Sequence, residues 1–381
     1  MNKEFDDIAP LADDEVRQAI QDILVDPGFQ HAVRYIMPDI DWEGFSAAMS
    51  SYNTKHDFQF DMIYNTVWML ARKSTTLLKG ECWDNIDGSV EHLFISNHRD
   101  IVLDAGFLNI LRCEQNLDTT EIAIGDNLLI HSWIEKLVRL NKSFIVRRGL
   151  GVREQLTASK HMSDYIHYCI TTKGESVWLA QREGRAKDSN DRTQISLLKM
   201  LALSPEKTPF IDSIRELNII PIAISYEYDP CDYLKAKEFQ LKRDNPEFKK
   251  SQRDDLLNME IGILGQKGNV IFRFGTCINA EIDKITEPDK RVQVEIIANI
   301  IDKEIHRNYE IFAGNYIAHD LLHNEQRFAD KYTGEDVDKF KNYLHKQIEK
   351  IDIENKDIDY LWSKLLEMYS NILKNHLIAR A

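Results

Sequence analysis

The stretch Phe94-Ile-Ser-Asn-His-Arg-Asp-Ile-Val-Leu-Asp104 runs from an apolar segment through a polar cluster and back into an apolar pattern. The apolar residues 93–95 predict a short buried strand that ends at the polar cluster. After Asp100 the apolar residues recur at helical spacing, which predicts a helix. His98 is therefore expected where a strand passes into a helix, at the carboxyl edge of a sheet. In open α/β sheets this edge is where ligands bind.

Similar short apolar runs recur along the chain and alternate with amphipathic stretches. We predict strands at residues 92–96, 121–124, 144–146, 176–180, 219–225 and 269–274. Helical patterns lie between them at residues 101–112, 128–140, 152–170 and 191–203. Strands that alternate with helices indicate a parallel sheet covered on both faces. The predicted fold class is therefore α/β, with a mixed, largely parallel sheet covered by helices.

The predicted strands occupy the middle of the chain, and helical patterns occupy both ends. Residues 1–85 are expected to form a helical N-terminal segment, in which one helical pattern covers residues 60–78. Residues 86–280 are expected to form the α/β domain. Within it, residues 232–260 carry densely mixed charges, which indicates a solvated helix or excursion rather than a site. Residues 281–381 are expected to form a helical C-terminal segment packed on the core.

Charge, cysteine content and hydropathy exclude several classes of protein. The 381 residues carry a formal net charge of −14, which argues against nonspecific nucleic-acid binding. The five cysteines lie far apart and form no Cys-x-x-Cys pair, which indicates reduced thiols in a cytoplasmic protein rather than disulfides or a zinc site. The N-terminus lacks a signal-peptide pattern, and no run reaches the roughly 18 apolar residues of a membrane span. We therefore expect no membrane-spanning segment, which leaves binding at a membrane surface open.

The polar cluster after the first predicted strand offers a histidine with two nearby carboxylates. His98 is followed by Asp100 and Asp104. A carboxylate that binds one ring nitrogen holds the imidazole in a single tautomer, as a general base near neutral pH requires. An isolated histidine after a strand is more often structural than catalytic, so the remaining predicted site residues decide its interpretation.

Arginines follow two other predicted strands, beside glycines that permit a close approach of the backbone to a ligand. Arg147 and Arg148 follow one strand, and the segment Arg182-Glu-Gly-Arg-Ala-Lys187 follows another. Clustered arginines of this kind bind the oxygens of a phosphate monoester. A base beside an anion site, without an activated serine or cysteine, indicates direct transfer of a group to the hydroxyl of a phosphorylated substrate.

At these residues the chain resembles the glycerol-3-phosphate and lysophosphatidate acyltransferases. That family carries four ordered blocks: His-x4-Asp, Gly-Asp-Asn-Leu/Phe-Ile-x-Arg, Glu-Gly-x-Arg, and a strand with a proline-containing apolar run. The counterparts here, in the same order over residues 90–280, are Asn97-His98-Arg99, Gly125–Leu128 with Phe144–Arg148, Glu183-Gly184-Arg185, and Ile220-Pro221-Ile222. The second block and the Ile-Ser-Tyr-Glu tail of the fourth, which ends at Glu227, are more similar to the glycerol-3-phosphate branch.

The resemblance implies an O-acyltransferase of membrane lipid biosynthesis. It implies that His98 takes a proton from the hydroxyl of glycerol-3-phosphate or a lysophospholipid. That oxygen then attacks the thioester of acyl-coenzyme A or acyl-acyl carrier protein, and no further cofactor is implied. The residues that the resemblance implies for binding the acceptor are Asn127, Arg147, Arg148, Arg182, Glu183, Gly184, Arg185 and Lys187.

Two departures from the family pattern affect the assignment of individual residues. Five residues separate His98 from Asp104, where the family has four, so either Asp104 or Asp100 orients the imidazole. We favour Asp104, because it follows a leucine as in the family's usual pair. In the third block an arginine directly follows Gly184, which leaves open which of the basic residues at positions 182, 185 and 187 contacts the phosphate.

The predicted helix 128–140 and the segment after it carry a basic face beside an apolar stripe. Six basic residues and a single acid fall between Trp133 and Arg153. Such a surface suits an anionic membrane. The expected partners are acyl-CoA or an acyl carrier protein, a glycerophospholipid precursor and a membrane surface, and not nucleic acid. The expected location is cytoplasmic, peripheral on the inner face of the cell membrane. A helix that packs its stripe on the core is an equally good interpretation.

Three alternatives remain from the sequence. His319-Asp-Leu-Leu-His323 has metal-ligand spacing on a helix, but aspartate replaces the glutamate of His-Glu-x-x-His, so we expect a packed helix and no metal. A lyso-aminolipid hydroxyl is an alternative acceptor for an enzyme. A non-catalytic protein of the same fold, which binds lipid or an acyl carrier, is the alternative to an enzyme.

Overall fold

The computed structural model describes residues 3–381, apart from the side chains of Lys3 and Gln252, and a seven-stranded sheet lies at its centre. The strands are β1 (Leu77–Glu81), β2 (Leu93–Ser96), β3 (Glu121–Gly125), β4 (Ser143–Val146), β5 (Val177–Ala180), β6 (Ile220–Tyr226) and β7 (Asn269–Phe274). Their order across the sheet is β1-β7-β6-β2-β5-β3-β4. The six strands predicted from the sequence are all present, with ends that differ by at most one residue.

Five neighbouring strands, β6-β2-β5-β3-β4, run parallel to one another. In register, Ser96 of β2 lies beside Ala180 of β5, and Gly125 of β3 lies beside Val146 of β4. Strand β7 runs antiparallel to β6, and β1 pairs in parallel with β7. The fold is thus α/β with a mixed, largely parallel sheet, as predicted. The polar segments that follow the five parallel strands all emerge at one edge, which we call the carboxyl edge.

Helices cover both faces of the sheet and form the two ends of the chain. The N-terminal helices are α1 (Val16–Leu24), α2 (Pro27–Ile36), α3 (Trp42–Ser51), α4 (Lys55–Asp57) and α5 (Tyr64–Ser74). Those among the strands are α6 (Leu103–Glu114), α7 (Ser132–Leu140), α8 (Val152–Tyr168), α9 (Ile195–Leu201), α10 (Phe210–Glu216), α11 (Asp232–Asp244) and α12 (Gln252–Leu264). The C-terminal helices are α13 (Asn279–Ile282), α14 (Lys290–Arg307), α15 (Ala313–His323), α16 (Gly334–Glu349) and α17 (Ile358–Arg380).

The central strands are buried on both faces, which explains their continuous apolar sequence. Leu93 and Ile95 of β2 pack in a cluster with residues of α8, α9 and α14. Phe94, which points to the opposite face, packs with residues of α5 and α6. Residue 98 therefore emerges from a strand that is held by packing on both sides.

One helical expectation at the N-terminal end is wrong. The pattern assigned to residues 60–78 ends as a helix at Ser74, and residues 77–81 form the edge strand β1 instead. Leu77 is exposed and Leu78 is only partly buried, so the segment carries little of the apolar alternation by which strands are recognised. Its pairing with β7, far along the chain, decides its conformation.

The apolar stripe of α7 packs inside the protein. Trp133 and Leu137 lie against a cluster formed by residues of α1 and α2, among them Ile20 and Phe29. The structure thus agrees with the interpretation of this stripe as a packing face. The basic residues of α7 are engaged within the chain, since Lys136 pairs with Asp22 and Arg139 donates hydrogen bonds to the backbone oxygens of Ala9 and Asp6. Among the described residues, no helix combines the length and the apolar character that crossing a membrane requires.

Candidate active site

His98 lies two residues after β2 at the carboxyl edge. Its Nδ1 lies 2.7 Å from Oδ2 of Asp104, in the first turn of α6. The Asp104 side chain is fully buried, whereas 14% of the His98 side chain is exposed. The Trp178 ring of β5 lies edge-on to the imidazole, with 5.8 Å between ring centroids. Because the buried carboxylate binds Nδ1, the outer nitrogen, Nε2, is the one that can accept a proton.

The Asp104 carboxylate is held by four donors. Besides His98, Oδ2 accepts hydrogen bonds from the backbone amides of Arg99 at 2.6 Å and Asp100 at 3.0 Å. Oδ1 accepts a hydrogen bond from the Tyr226 hydroxyl at 2.9 Å. Burial, with the adjacent Asp104 charge, raises the pKa of Tyr226 well above its usual value, so the phenol remains a donor. These contacts fix the plane of the carboxylate and, through it, the orientation of the imidazole.

Asp100 has a different set of partners. Its Oδ1 accepts hydrogen bonds from the backbone amides of Val102 at 2.9 Å and Leu103 at 2.8 Å, at the start of α6. Burial raises the pKa of Asp100; the nearby Lys267 opposes this shift, and Asp104 adds to it. The carboxylate that contacts His98 is therefore that of Asp104, and the Asp100 carboxylate stabilises the turn that leads into the helix.

The two arginines after β4 point in different directions. The Arg148 Nη1 lies 3.3 Å from Oε1 of Glu183, which follows β5, the strand beside β2. Its guanidinium lies close over Gly125, where a Cβ would come within 2.7 Å of Cζ. Arg147 is exposed and lines a separate cavity of about 400 Å³ between β4 and α8. The structure thus directs Arg148, and not Arg147, toward β2.

The segment after β5 directs its three cations to different places. Arg182 is half-buried and, within the described part of the chain, makes no hydrogen bond or ion pair. Arg185 reaches α12, where its Nη2 donates a hydrogen bond to Oδ1 of Asn258 at 2.8 Å. Lys187 forms an ion pair with Glu238 of α11, and burial lowers its pKa despite this partner. Of the three, Arg182 is the cation free to meet an anion at the carboxyl edge.

Arg185 lies in an acidic and mostly buried environment. Burial disfavours its charge, but the acidic groups around it, first Cys231 and then Asp229 and Asp100, outweigh this effect and raise its pKa. Its Nη1 is buried without a hydrogen-bond partner among the described residues. The neighbouring Cys231 lies with Sγ 3.4 Å from the carbonyl oxygen of Asn258. Burial raises the pKa of Cys231 to about 12, which keeps it a neutral thiol.

The remaining predicted residues line the rim of the same edge. Asn127 is exposed, with its side chain beside Gly125. Glu183 is mostly exposed, and its backbone amide donates a hydrogen bond to Oε1 of Gln194 at 2.6 Å. Gly184 has a φ of +66°, a left-handed conformation that glycine adopts without strain. This rim is open to solvent, in contrast to the buried Asp104.

Helix α12 lies against the site, although the mixed charge of residues 232–260 predicts a solvated segment. Gly262 packs so closely on Asp100 that a Cβ would come within 2.3 Å of Oδ2. Asn258, one turn earlier, binds Arg185. The sequence pattern misses this helix because its apolar residues form no single stripe. Tyr226 is also missed as a partner of Asp104, because the contact depends on β6, which Tyr226 ends, lying next to β2 in the sheet.

No protein-family model matches the chain, and no curated protein matches it significantly. Among solved structures, the chain is similar to the 1-acyl-sn-glycerophosphate (LPA) acyltransferase PlsC from Thermotoga maritima. The sequence identity is 8% and the TM-score is 0.36, over 77% of this chain and 97% of that chain.

Proposed function

We propose that the protein is an O-acyltransferase, which moves a fatty acyl group from a thioester to the hydroxyl of glycerol-3-phosphate or a lysophospholipid. The observation that carries the proposal is the 2.7 Å contact between Nδ1 of His98 and the buried Asp104. This contact leaves Nε2 of a partly exposed imidazole free at the carboxyl edge, where a general base is expected in an α/β fold.

In the proposed reaction, Nε2 of His98 accepts the proton of the acceptor hydroxyl as that oxygen attacks the thioester carbonyl carbon. A carbon–oxygen bond forms and a tetrahedral intermediate carries the negative charge. When the intermediate collapses, the carbon–sulfur bond breaks and the thiolate takes the proton back from the His98 imidazolium. The products are an ester and a free thiol, and Asp104 stabilises the imidazolium between the two proton transfers.

Two arginines support binding of a phosphorylated acceptor beside this base. Arg182 follows β5, which adjoins β2, and neighbouring strands lie about 4.8 Å apart. Arg148 approaches from the other side of β5 through its contact with Glu183. Both guanidiniums are at least partly exposed to solvent, so an incoming phosphate could replace water around them.

The pKa values of three of the five cysteines support direct transfer over an acyl-enzyme formed on one of them. A thioester exchange through the protein would need a thiolate. Burial raises the pKa of Cys231, the thiol nearest Arg185, to about 12, and it raises the pKa of Cys113 to about 11. Burial also raises the pKa of Cys169 well above its usual value. These thiols therefore stay protonated near neutral pH.

A lyso-aminolipid is the second candidate acceptor. Among the predicted anion-binding residues, Lys187 already has an acidic partner, and Arg185 lies among carboxylates. The free positive charge beside His98 is therefore smaller than the sequence predicts. This smaller charge suits an acceptor that presents a hydroxyl without a phosphate monoester.

Exposed apolar and basic residues at the start of α8 support binding to a membrane surface. Val152 is 91% exposed and Leu156 is 63% exposed, close to Arg147 and Arg153. Apolar side chains that insert between lipids, flanked by arginines that meet anionic headgroups, are typical of peripheral membrane proteins. Since the acceptor and the product are lipids or lipid precursors, we propose that the protein acts on the cytoplasmic face of the membrane.

The test is a transfer assay with the purified chain. Acyl-CoA and acyl-acyl carrier protein are each supplied with glycerol-3-phosphate, lysophosphatidate or a lyso-aminolipid, and both the thiol and the product mass are measured. His98→Gln is expected to lower kcat at least about a hundredfold. The control is His345→Gln, an exposed histidine of α16 that stacks on Trp362. Transfer that survives His98→Gln would remove the histidine from the mechanism, and no transfer to any acceptor would favour a lipid- or carrier-binding protein.

A further inference from the structure

A second cluster of polar side chains lies at the C-terminal end of α15. His319, Asp320 and Glu325 place a ring nitrogen and two carboxylate oxygens within 4.8 Å of one another. Helix α15 packs on α16 and α17 through Ile317 and Ala318, in an apolar cluster of the C-terminal helices. The polar cluster is thus part of the C-terminal helical region and is separate from the carboxyl edge of the sheet.

The distances within the cluster match those between ligands of one metal ion. Nδ1 of His319 lies 3.2 Å from Oε1 of Glu325 and 3.8 Å from Oδ1 of Asp320. In a tetrahedral site with metal–ligand bonds of about 2.0–2.2 Å, adjacent ligand atoms lie about 3.4 Å apart. With all three ligand atoms within 4.8 Å of one another, small movements of the side chains would place them around one ion.

Two of these ligand atoms are buried without a hydrogen-bond partner among the described residues. His319 is 8% exposed and Asp320 is 3% exposed. Nδ1 of His319 and Oδ1 of Asp320 each lack a hydrogen-bond partner among residues 3–381. Buried polar atoms are almost always satisfied, because leaving them unpaired costs free energy. Nδ1 of His319 has the Glu325 carboxylate as an ionic neighbour at 3.2 Å, whereas Oδ1 of Asp320 has no donor among the described residues, and a cation between the three atoms would satisfy it.

The other oxygen of Asp320 is held in place by the loop of residues 324–332. Oδ2 accepts hydrogen bonds from the backbone amide of Phe328 and from the Tyr332 hydroxyl, each at 2.9 Å. The amide of Glu325 donates to the backbone oxygen of Asp320 at 2.9 Å. These contacts aim Oδ1 into the cluster, as outer hydrogen bonds orient ligating carboxylates in metal sites.

We propose that His319, Asp320 and Glu325 bind one divalent transition-metal ion of the zinc class, which ties the 324–332 loop to the end of α15. An imidazole with two carboxylates suits such an ion. The fourth position is open to water or to His323, one helical turn on, whose ring centroid lies 4.5 Å from that of His319. The sequence predicts a packed helix without a metal at this histidine pair. The proposed site differs from that prediction and includes two ligands, Asp320 and Glu325, that the spacing of the pair does not reveal.

The test is binding of Zn²⁺ or Co²⁺ alone to the untagged full chain after removal of metal with a chelator. One equivalent is expected to bind, Co²⁺ should show the absorption of a tetrahedral site, and Zn²⁺ should raise the melting temperature. Glu325→Gln is expected to weaken binding at least about tenfold and to abolish the thermal shift. The matched control is Glu354→Gln, an exposed glutamate in the loop before α17, which should bind as the native chain does.

The alternative is a simple ion pair between a protonated His319 and Glu325. In that case the chain would take up no equivalent of either metal, which would overturn the proposal. Uptake of several equivalents with the same affinity in Glu325→Gln would overturn it as well. His319→Gln changes a buried residue and could fail to fold. Glu325 is 40% exposed, so its variant keeps the test decisive in that case.

Discussion

The hydroxyl of Tyr226 is the donor to Oδ1 of Asp104, and its removal isolates one contact of the proposed base. In Tyr226→Phe the ring stays in its buried position, so packing changes little, but Oδ1 of a fully buried carboxylate loses its donor. A hydrogen bond to a charged group contributes about 1.5–3 kcal/mol. We expect the free energy of unfolding to fall by about this amount.

The expected effect of Tyr226→Phe on the reaction is smaller than the loss of the carboxylate itself. Oδ2 of Asp104 keeps its contacts to His98 and to two backbone amides, so the imidazole stays paired but its plane is less restricted. We expect kcat to fall about tenfold, which corresponds to about 1.4 kcal/mol in the barrier. KM should not change, because Tyr226 lies behind Asp104 and does not reach the open side of His98.

The assay measures thiol release against acceptor concentration, which separates kcat from KM, together with urea unfolding. The matched control is Tyr165→Phe. Tyr165 is also buried and donates to a buried carboxylate, Glu121, at 2.6 Å, but Glu121 begins β3 at the opposite edge of the sheet. The control should lose similar stability and keep kcat. An unchanged kcat in Tyr226→Phe, with stability lowered as in the control, would refute a positioning role for the tyrosine.

Three further predictions follow from neighbouring contacts. Asp104→Asn should lower kcat about 10³–10⁴-fold, by analogy with hydrolase triads, because the amide favours the wrong tautomer of the His98 imidazole. In the same assay Asp100→Asn should lower kcat less than about tenfold, because the asparagine keeps an oxygen that accepts from the α6 amides. Gly262→Ala should lower the free energy of unfolding by about 1–3 kcal/mol, because its Cβ would meet Oδ2 of Asp100. The control, Gly88→Ala, has open space around the added Cβ and should not lower it. Urea unfolding compares the two variants. Burial, with Asp229 nearby, raises the pKa of Asp232 to about 7, so the folded state holds a proton that the unfolded chain releases above about pH 4. Stability should therefore fall as pH rises from 5 to 8, by at most about 3 kcal/mol for this group, and urea unfolding of Asp232→Asn should show a shallower slope; an equal slope would contradict the assignment.

The sequence reveals the sheet and the proposed base because both depend on local signals. A strand buried on both faces must be apolar along its length, and a polar residue ends it visibly, as Asn97 ends β2. The helix after it must begin near Leu103, which places Asp104 within one turn of His98. The order of the strands then brings the second and third blocks to the same edge, where Arg148 meets Glu183.

The partners of the basic residues could not be predicted in the same way. Lys187 meets Glu238, and Arg185 meets Asn258, because α11 and α12 fold back over the carboxyl edge. The sequence near Lys187 and Arg185 contains no pattern that predicts this packing of α11 and α12. Tyr226 illustrates the same limit, since its contact with Asp104 depends on β6 lying beside β2 and not on spacing along the chain.

Arg182 and Arg185 lie in different environments, and this difference affects how an anion could be bound. Arg182 is half-buried and has no ion-pair partner within the part of the chain that the structure describes, so a phosphate could reach it without displacing any contact seen there. The free Nη1 of Arg185 is sealed from solvent, and its guanidinium is held by Asn258 of α12. A phosphate that bound both arginines would have to open the contact between α12 and the edge, and Gly262, packed on Asp100, would move with that helix. Access to the second arginine is therefore coupled to the helix that covers the turn next to His98.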